Sequence, residues 1–126
     1  MNLSKGDVVL VPFPFTDLSQ TKLRPAIVLW ADNSGNDVTL CFISSQNITN
    51  LRPEEFLLAP AEPEFLETGL KVASKVRISR ITTLERNLIA RRLGKLGTSQ
   101  IQQLNTTLLQ TFQLQQPPQS EDNSDV

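Results

Sequence analysis

Short runs rich in valine and phenylalanine, each cut off by proline or by a cluster of turn-forming residues, constrain this chain more than any other feature. "DVVLVPFPF" (7–15) carries Pro12 and Pro14, which would interrupt a central ladder, so a strand is expected from about 7 to 12 that breaks into a loop. "PAIVLWA" (25–31) reads as a buried strand, "DNSG" (32–35) as a turn, and "DVTLCFIS" (37–44) as a strand apolar enough at its end to be central. Residues 16–24 between the first two runs are polar and aperiodic. Connections of that length in small domains are often functional.

Farther along, "EEFLL" (54–58) suggests a shorter strand and "PEFLETG" (63–69) one helical turn closed by Gly69. "LKVASKVRIS" (70–79) alternates, with Leu70, Val72, Ser74, Val76 and Ile78 on one side and Lys71, Ala73, Lys75, Arg77 and Ser79 on the other. A period of two predicts a packed face backed by a basic stripe that contains Lys75 and Arg77. Residues 80–97 fit either a short strand with one helical turn or a further strand. Ile101, Leu104, Leu108 and Phe112 recur at helical spacing, and Ser99 with Gln102 has the form of a capping box, which predicts an amphipathic helix from 99 or 100. From Gln115 the chain is polar, proline-paired and acidic. Such a segment has nothing to bury and is expected to be a disordered tail (115–126), leaving 1–114 as the folded domain. Short strands followed by one helix predict a mostly β small domain, a sheet or barrel covered by a C-terminal helix.

A length of 126 residues fits one domain. No apolar window could span a bilayer, the N-terminus lacks the apolar segment of a secretory signal, and the single Cys41 has no internal disulfide partner. The expectation is a cytoplasmic protein without a membrane role. The formal net charge of −1 conceals a segregation. Glu54, Glu55, Glu62, Glu64 and Glu67 stand together without a base, whereas Lys71, Lys75, Arg77, Arg80, Arg86, Arg91, Arg92 and Lys95 face Glu85 alone. A local field of this kind can attract a polyanion, although a solvated basic face is the commoner reading. Histidine is absent, which removes imidazole chemistry and a His-ligated metal site. No metal-ligand spacing, phosphate-binding glycine loop or Ser/His/Asp set is present, so no metal or cofactor is expected. Cys41, among apolar neighbours, reads as structural.

The informative pair lies at two strand ends. Arg24 opens the second strand, and Ser44-Ser45-Gln46 closes the third. If "DNSG" joins these strands as an antiparallel hairpin, Arg24 and Ser44 become neighbours. A guanidinium beside hydroxyls can grip a phosphate, because its fork of donors matches the oxygens. On spacing alone, a solvated strand end remains the commoner reading.

"GDVVLVPFPFTD", "LRPAIVL", "CFISSQ" and "GLKVASKVRISRITTLERNLIARRLGKL" together resemble the MazF/PemK family of toxin endoribonucleases, over about Lys5 to Thr111. The resemblance implies an SH3-like barrel with a C-terminal helix, and a homodimer whose groove holds single-stranded RNA. It also implies a cognate antitoxin as protein partner. It matches Arg24 to the catalytic arginine and Ser44 to the catalytic Thr/Ser, and it puts Arg77 on a strand that lines the groove. Lys22, Ser45, Gln46, Lys71, Lys75 and Arg80 would bind RNA, with Phe15 or Phe13 stacking on bases; for Phe13 core packing is an alternative, and Trp30 is assigned to the core or the dimer interface. Family members often carry a Ser-Glu-Gln-x-Gly stretch before Arg-Pro where this chain has Ser19-Gln20-Thr21-Lys22-Leu23, so no role passes to that glutamate.

The implied reaction is metal-free attack of a ribose 2′-hydroxyl on the adjacent phosphate, with Arg24 stabilising the phosphorane and Ser44 positioning it. Arginine is a poor proton acceptor, and Asp17 in the loop could assist, although a turn residue is its more ordinary reading. A toxin of the same fold that poisons DNA gyrase, or an RNA-binding module that does not cut, are the competing readings.

Overall fold

The computed structural model describes residues 1–13 and 22–114. The expectations that concern Phe15, Asp17 and the tail from Gln115 lie outside the described residues. Within them run strands β1 (Asp7–Phe13), β2 (Lys22–Ala31), β3 (Asp37–Ser44), β4 (Glu55–Leu58), β5 (Ser74–Glu85) and β6 (Arg91–Lys95), then helix α1 (Thr98–Thr111). The strands form one antiparallel sheet in the order β4-β5-β3-β2-β1-β6, curled into a half-barrel, which meets the expected barrel-with-helix architecture.

β1 is buried on both of its faces, and its unbroken valine run reflects that. Val8 faces a core with Ile27, Cys41, Ile43, Val76 and Ile78, closed by Leu104 of α1. Val9 and Val11 face a second core with Leu3, Ala26, Val28, Leu40 and Ile89. A strand buried on both sides reads as continuous apolar sequence rather than as alternation.

The hairpin β2–β3 turns where "DNSG" predicts it. Asp32 Oδ1 accepts from the Ser34 amide at 3.0 Å, and the Asp32 amide donates to the Asp37 carbonyl at 2.9 Å. Such aspartate side-chain bonds are a standard device for tight turns. Gly69 ends a 3₁₀ turn (Leu66–Thr68) at φ 76°, the left-handed conformation glycine adopts most easily.

Three expectations need correction, and the alternatives left open for residues 80–97 are resolved. The alternating segment 70–79 does not begin as a strand: β5 starts at Ser74, and Val72 is exposed before it. β5 continues to Glu85, and residues 80–97 hold the rest of β5, a 3₁₀ turn (Arg86–Leu88) and β6. Helix α1 is capped at Gly97, where the Gln100 side chain accepts from the Gly97 amide at 2.9 Å; glycine offers no side chain for the return bond, so only this half of a capping box forms, two residues before the expected Ser99–Gln102. Leu104 is buried and Ile101 and Leu108 pack against the core as the periodicity predicts, with Gln100 and Thr107 also buried, whereas Phe112, beyond the last turn, is exposed. No helix among the described residues is long and apolar enough to cross a membrane.

Candidate active site

The β2–β3 register pairs Ala26 with Phe42, and two residues farther out on each strand stand Arg24 and Ser44. Because pleating repeats every two residues, both side chains lie on the face that carries Ala26 and Phe42. There they line an open cleft of about 440 Å³. Its base is Phe42, its far wall is Arg77, Arg80, Ile81 and Thr82 of β5, and its rim is Phe13. A second lobe of about 230 Å³ also contains Arg24 and Ser44, and adds Ser45, Gln46, Lys71 and Ser74. The two lobes therefore meet at Arg24 and Ser44.

β5 reaches this position through an irregularity. Phe42 pairs with Arg77, but the next residue inward, Cys41, pairs with Ile81, so residues 78–80 are accommodated without partners on β3. A bulge of this kind bends a strand and re-aims its side chains. Here it delivers both Arg77 and Arg80 to one cleft, which strict alternation along β5 does not foretell.

Local bonds define the donors. The Ser44 hydroxyl oxygen accepts from the Gln46 amide at 3.0 Å, a turn that holds the oxygen and leaves the hydroxyl proton free to donate into the cleft. Phe13 and Phe42 meet edge to face, with centroids 5.4 Å apart at 66°. Phe13 is 44% exposed, which places it at the rim rather than in the core.

Lys75 departs from the expected basic stripe. Its side chain is 9% exposed, its ammonium is 2.9 Å from Glu55 Oε1 and 3.4 Å from the Asn47 carbonyl, and it lines neither lobe. Burial follows from β4, which lies against β5 with Glu55 opposite Arg77 and Leu57 opposite Lys75. Arg77 Nε stands 3.4 Å from the other Glu55 oxygen, an ion pair without an aligned hydrogen bond, while its side chain remains a third exposed. Burial alone would push the Glu55 carboxyl up, but the Arg52 amide, the Lys75 ammonium and the Arg77 guanidinium outweigh it and hold the group below the usual carboxylate range.

Ser45, Gln46, Lys71, Arg77 and Arg80 thus join Arg24 and Ser44 around the cleft, whereas Lys22, exposed at the start of β2 opposite Phe13, lines neither lobe. Sequence reasoning missed Phe42, Thr82 and the buried Glu55; for Phe42 the signal was its place two residues before Ser44. Trp30 is 52% exposed, so it does not belong to the core of the single chain. Burial pushes the Cys41 thiol up to about 12, partly opposed by its backbone hydrogen bond, which leaves it inert. Among the described residues, no three His, Cys, Asp or Glu side chains gather as a metal site would require, and no carboxylate lines either lobe.

Comparison with known proteins places this architecture. A family model described as PemK-like, MazF-like toxin of type II toxin–antitoxin system matches residues 4–112. No curated protein matches at comparable significance. Among solved structures, an endoribonuclease in complex with its cognate antitoxin from a mycobacterial species is 18% identical with a TM-score of 0.67, over 92% of this chain and 100% of that one. A second mycobacterial endoribonuclease is 20% identical with a TM-score of 0.65, over 93% and 98%. The Mycobacterium tuberculosis toxin MazF-mt6 is 19% identical with a TM-score of 0.67, over 87% and 99%. At these identities the likeness is one of fold.

Proposed function

The chain belongs to the family of PemK-like, MazF-like toxins of type II toxin–antitoxin systems, and from that premise we propose that it is an endoribonuclease that cuts single-stranded RNA where its two lobes meet. The observation that carries this reading is the sharing of Arg24 and Ser44 by both lobes. A strand laid through the cleft would present one phosphate to both residues, with nucleotides on either side.

The chemistry follows from the groups available. A ribose 2′-oxygen attacks the adjacent phosphorus, the bond from phosphorus to O5′ breaks, and the products are a 2′,3′-cyclic phosphate and a 5′-hydroxyl. The 2′-hydroxyl proton passes to a base from solvent, and O5′ takes one from water. Arg24 places a permanent positive charge where the phosphorane gathers negative charge, and Ser44 donates its free proton to a non-bridging oxygen. Specific cutting of messenger RNA, without a metal, by a cytoplasmic homodimer under control of a cognate antitoxin is the physiological form of this activity. The mycobacterial endoribonuclease bound to its antitoxin supports that partner.

The test is incubation with a long single-stranded RNA in EDTA beside Arg24→Ala, followed by end-group mapping. Discrete cuts with 5′-hydroxyl ends, absent from the variant, are expected. Intact RNA with a folded wild-type protein would overturn the reading in favour of a non-cutting toxin that binds RNA or DNA gyrase.

A further inference from the structure

Behind the cleft wall, one carboxylate organises two cations. Glu55 Oε1 accepts from Lys75 Nζ at 2.9 Å and from the Arg52 amide at 3.1 Å, which leaves Oε2 facing Arg77 Nε at 3.4 Å. The Glu55 side chain is 2% exposed. Lys75 extends the connection, because its ammonium also reaches the carbonyl of Asn47, at φ 53°, in the loop that leaves Ser44. Thus a single buried group holds both the arginine over one lobe and the loop beside the other.

We propose that Glu55 is a positioning residue for this site: one oxygen locks the Ser44–Asn47 loop through Lys75, and the other orients the Arg77 guanidinium toward the bound strand. The proposal rests on the reading of the cleft as an RNA site. Lys75 is then a strut that touches no phosphate, and of the two cations only Arg77 faces the ligand. Arg77 Nε is shielded from solvent, so its contribution comes from the outer guanidinium nitrogens.

The two effects of Glu55 on RNA oppose each other, which separates this role from simple support of the fold. Its negative charge beside the cleft weakens attraction of a polyanion, while its geometry favours the reaction. Single-turnover cleavage and equilibrium binding of a 2′-deoxy, uncleavable oligonucleotide are measured for wild type, Glu55→Gln, Lys75→Met and the Glu55→Gln/Lys75→Met double variant, which removes the buried ion pair as a unit. In Glu55→Gln and in the double variant, cleavage is expected to slow by roughly tenfold or more, as misplacement of a positioned group does, with binding unchanged or tighter. Lys75→Met is expected to leave the salt dependence of binding unchanged. Wild-type cleavage in both Glu55 variants, or binding and cleavage lost in parallel in the double variant, would overturn the proposal. So would a fall of about 0.7 in the salt slope of Lys75→Met, the value for one lost phosphate contact on a single strand.

A readout without RNA keeps the proposal distinct from the activity it rests on. Hydrogen exchange at Arg77 Nε, followed by ¹⁵N–¹H NMR, is expected to accelerate in the folded double variant. Unchanged exchange there would sink the positioning role even if the wild type cuts RNA, and a wild type that does not cut would sink the function while this measurement still decides the role of Glu55.

Discussion

Glu64 and Ser99, 35 residues apart, are joined at the start of α1: the Ser99 hydroxyl donates to Glu64 Oε1 at 2.7 Å. The amides of Ser99 and Gln100 donate to the same carboxylate at 3.2 and 3.1 Å. Gly97, the capping residue, has no side-chain oxygen, so the acceptor for these unpaired amides comes from a distant loop. The negative charge also complements the positive end of the helix.

The Ser99 hydrogen bonds hold the Glu64 carboxyl below its usual range. A depressed carboxylate adds stability that is fully present above its unfolded pKa, about 4.3, and is lost as pH falls through the lower folded value. Glu64→Gln is therefore expected to lower the urea midpoint at pH 7, with the gap to wild type closing on acidification. A gap that widens toward acid would contradict this cap.

Ser44 is expected to act through its hydroxyl. Ser44→Ala removes both the acceptor of the Gln46 amide and the donor to phosphate, and should lower the cleavage rate by about 10². Ser44→Thr keeps both groups and should restore most of it. Single-turnover kinetics on one oligonucleotide check the pair.

Arg80 is an exposed cation on the cleft wall with no part in the Glu55 cluster. Arg80→Ala should weaken RNA binding for every sequence alike and lower the slope of log K against log salt by about 0.7. Fluorescence anisotropy across a salt series reads this directly.

Gly94 lies where β6 crosses the 3₁₀ turn, and a Cβ there would stand 2.1 Å from the Glu67 carbonyl oxygen. That contact is with backbone, which cannot swing aside as a side chain would. Gly94→Ala is expected to cost about 1–3 kcal/mol as an overpacking change, measured by urea unfolding.

The pH dependence of cleavage tests the proton path. No histidine exists in the chain and no described carboxylate lines the lobes. With hydroxide as the solvent base that accepts the 2′-hydroxyl proton, the logarithm of the single-turnover rate should rise with pH between about 6 and 8. A flat profile there would contradict a hydroxide-dependent step.

Much of the first half of the fold was legible locally. The stops at proline and at "DNSG" delimit β1, β2 and β3, and a tight turn between antiparallel strands leaves their far ends adjacent, which is why Arg24 and Ser44 could be paired from spacing. The C-terminal helix was legible from periodicity, although its cap was not, since Glu64 belongs to another segment of the chain.

By itself, the sequence determined the runs that become β1 to β4, that one helix follows the strands, and that an arginine meets a serine at the open end of a hairpin. Only the tertiary structure decided what those strands are laid against. Alternation in β5 assigns Lys75 and Arg77 to the same face, but it is the placement of Glu55 on β4 that buries the lysine, and the bulge against β3 that carries Arg80 into the cleft. The physical reason is that periodicity encodes the side of a strand a residue occupies, whereas the solvation of its charge depends on the neighbour that long-range pairing brings to that side.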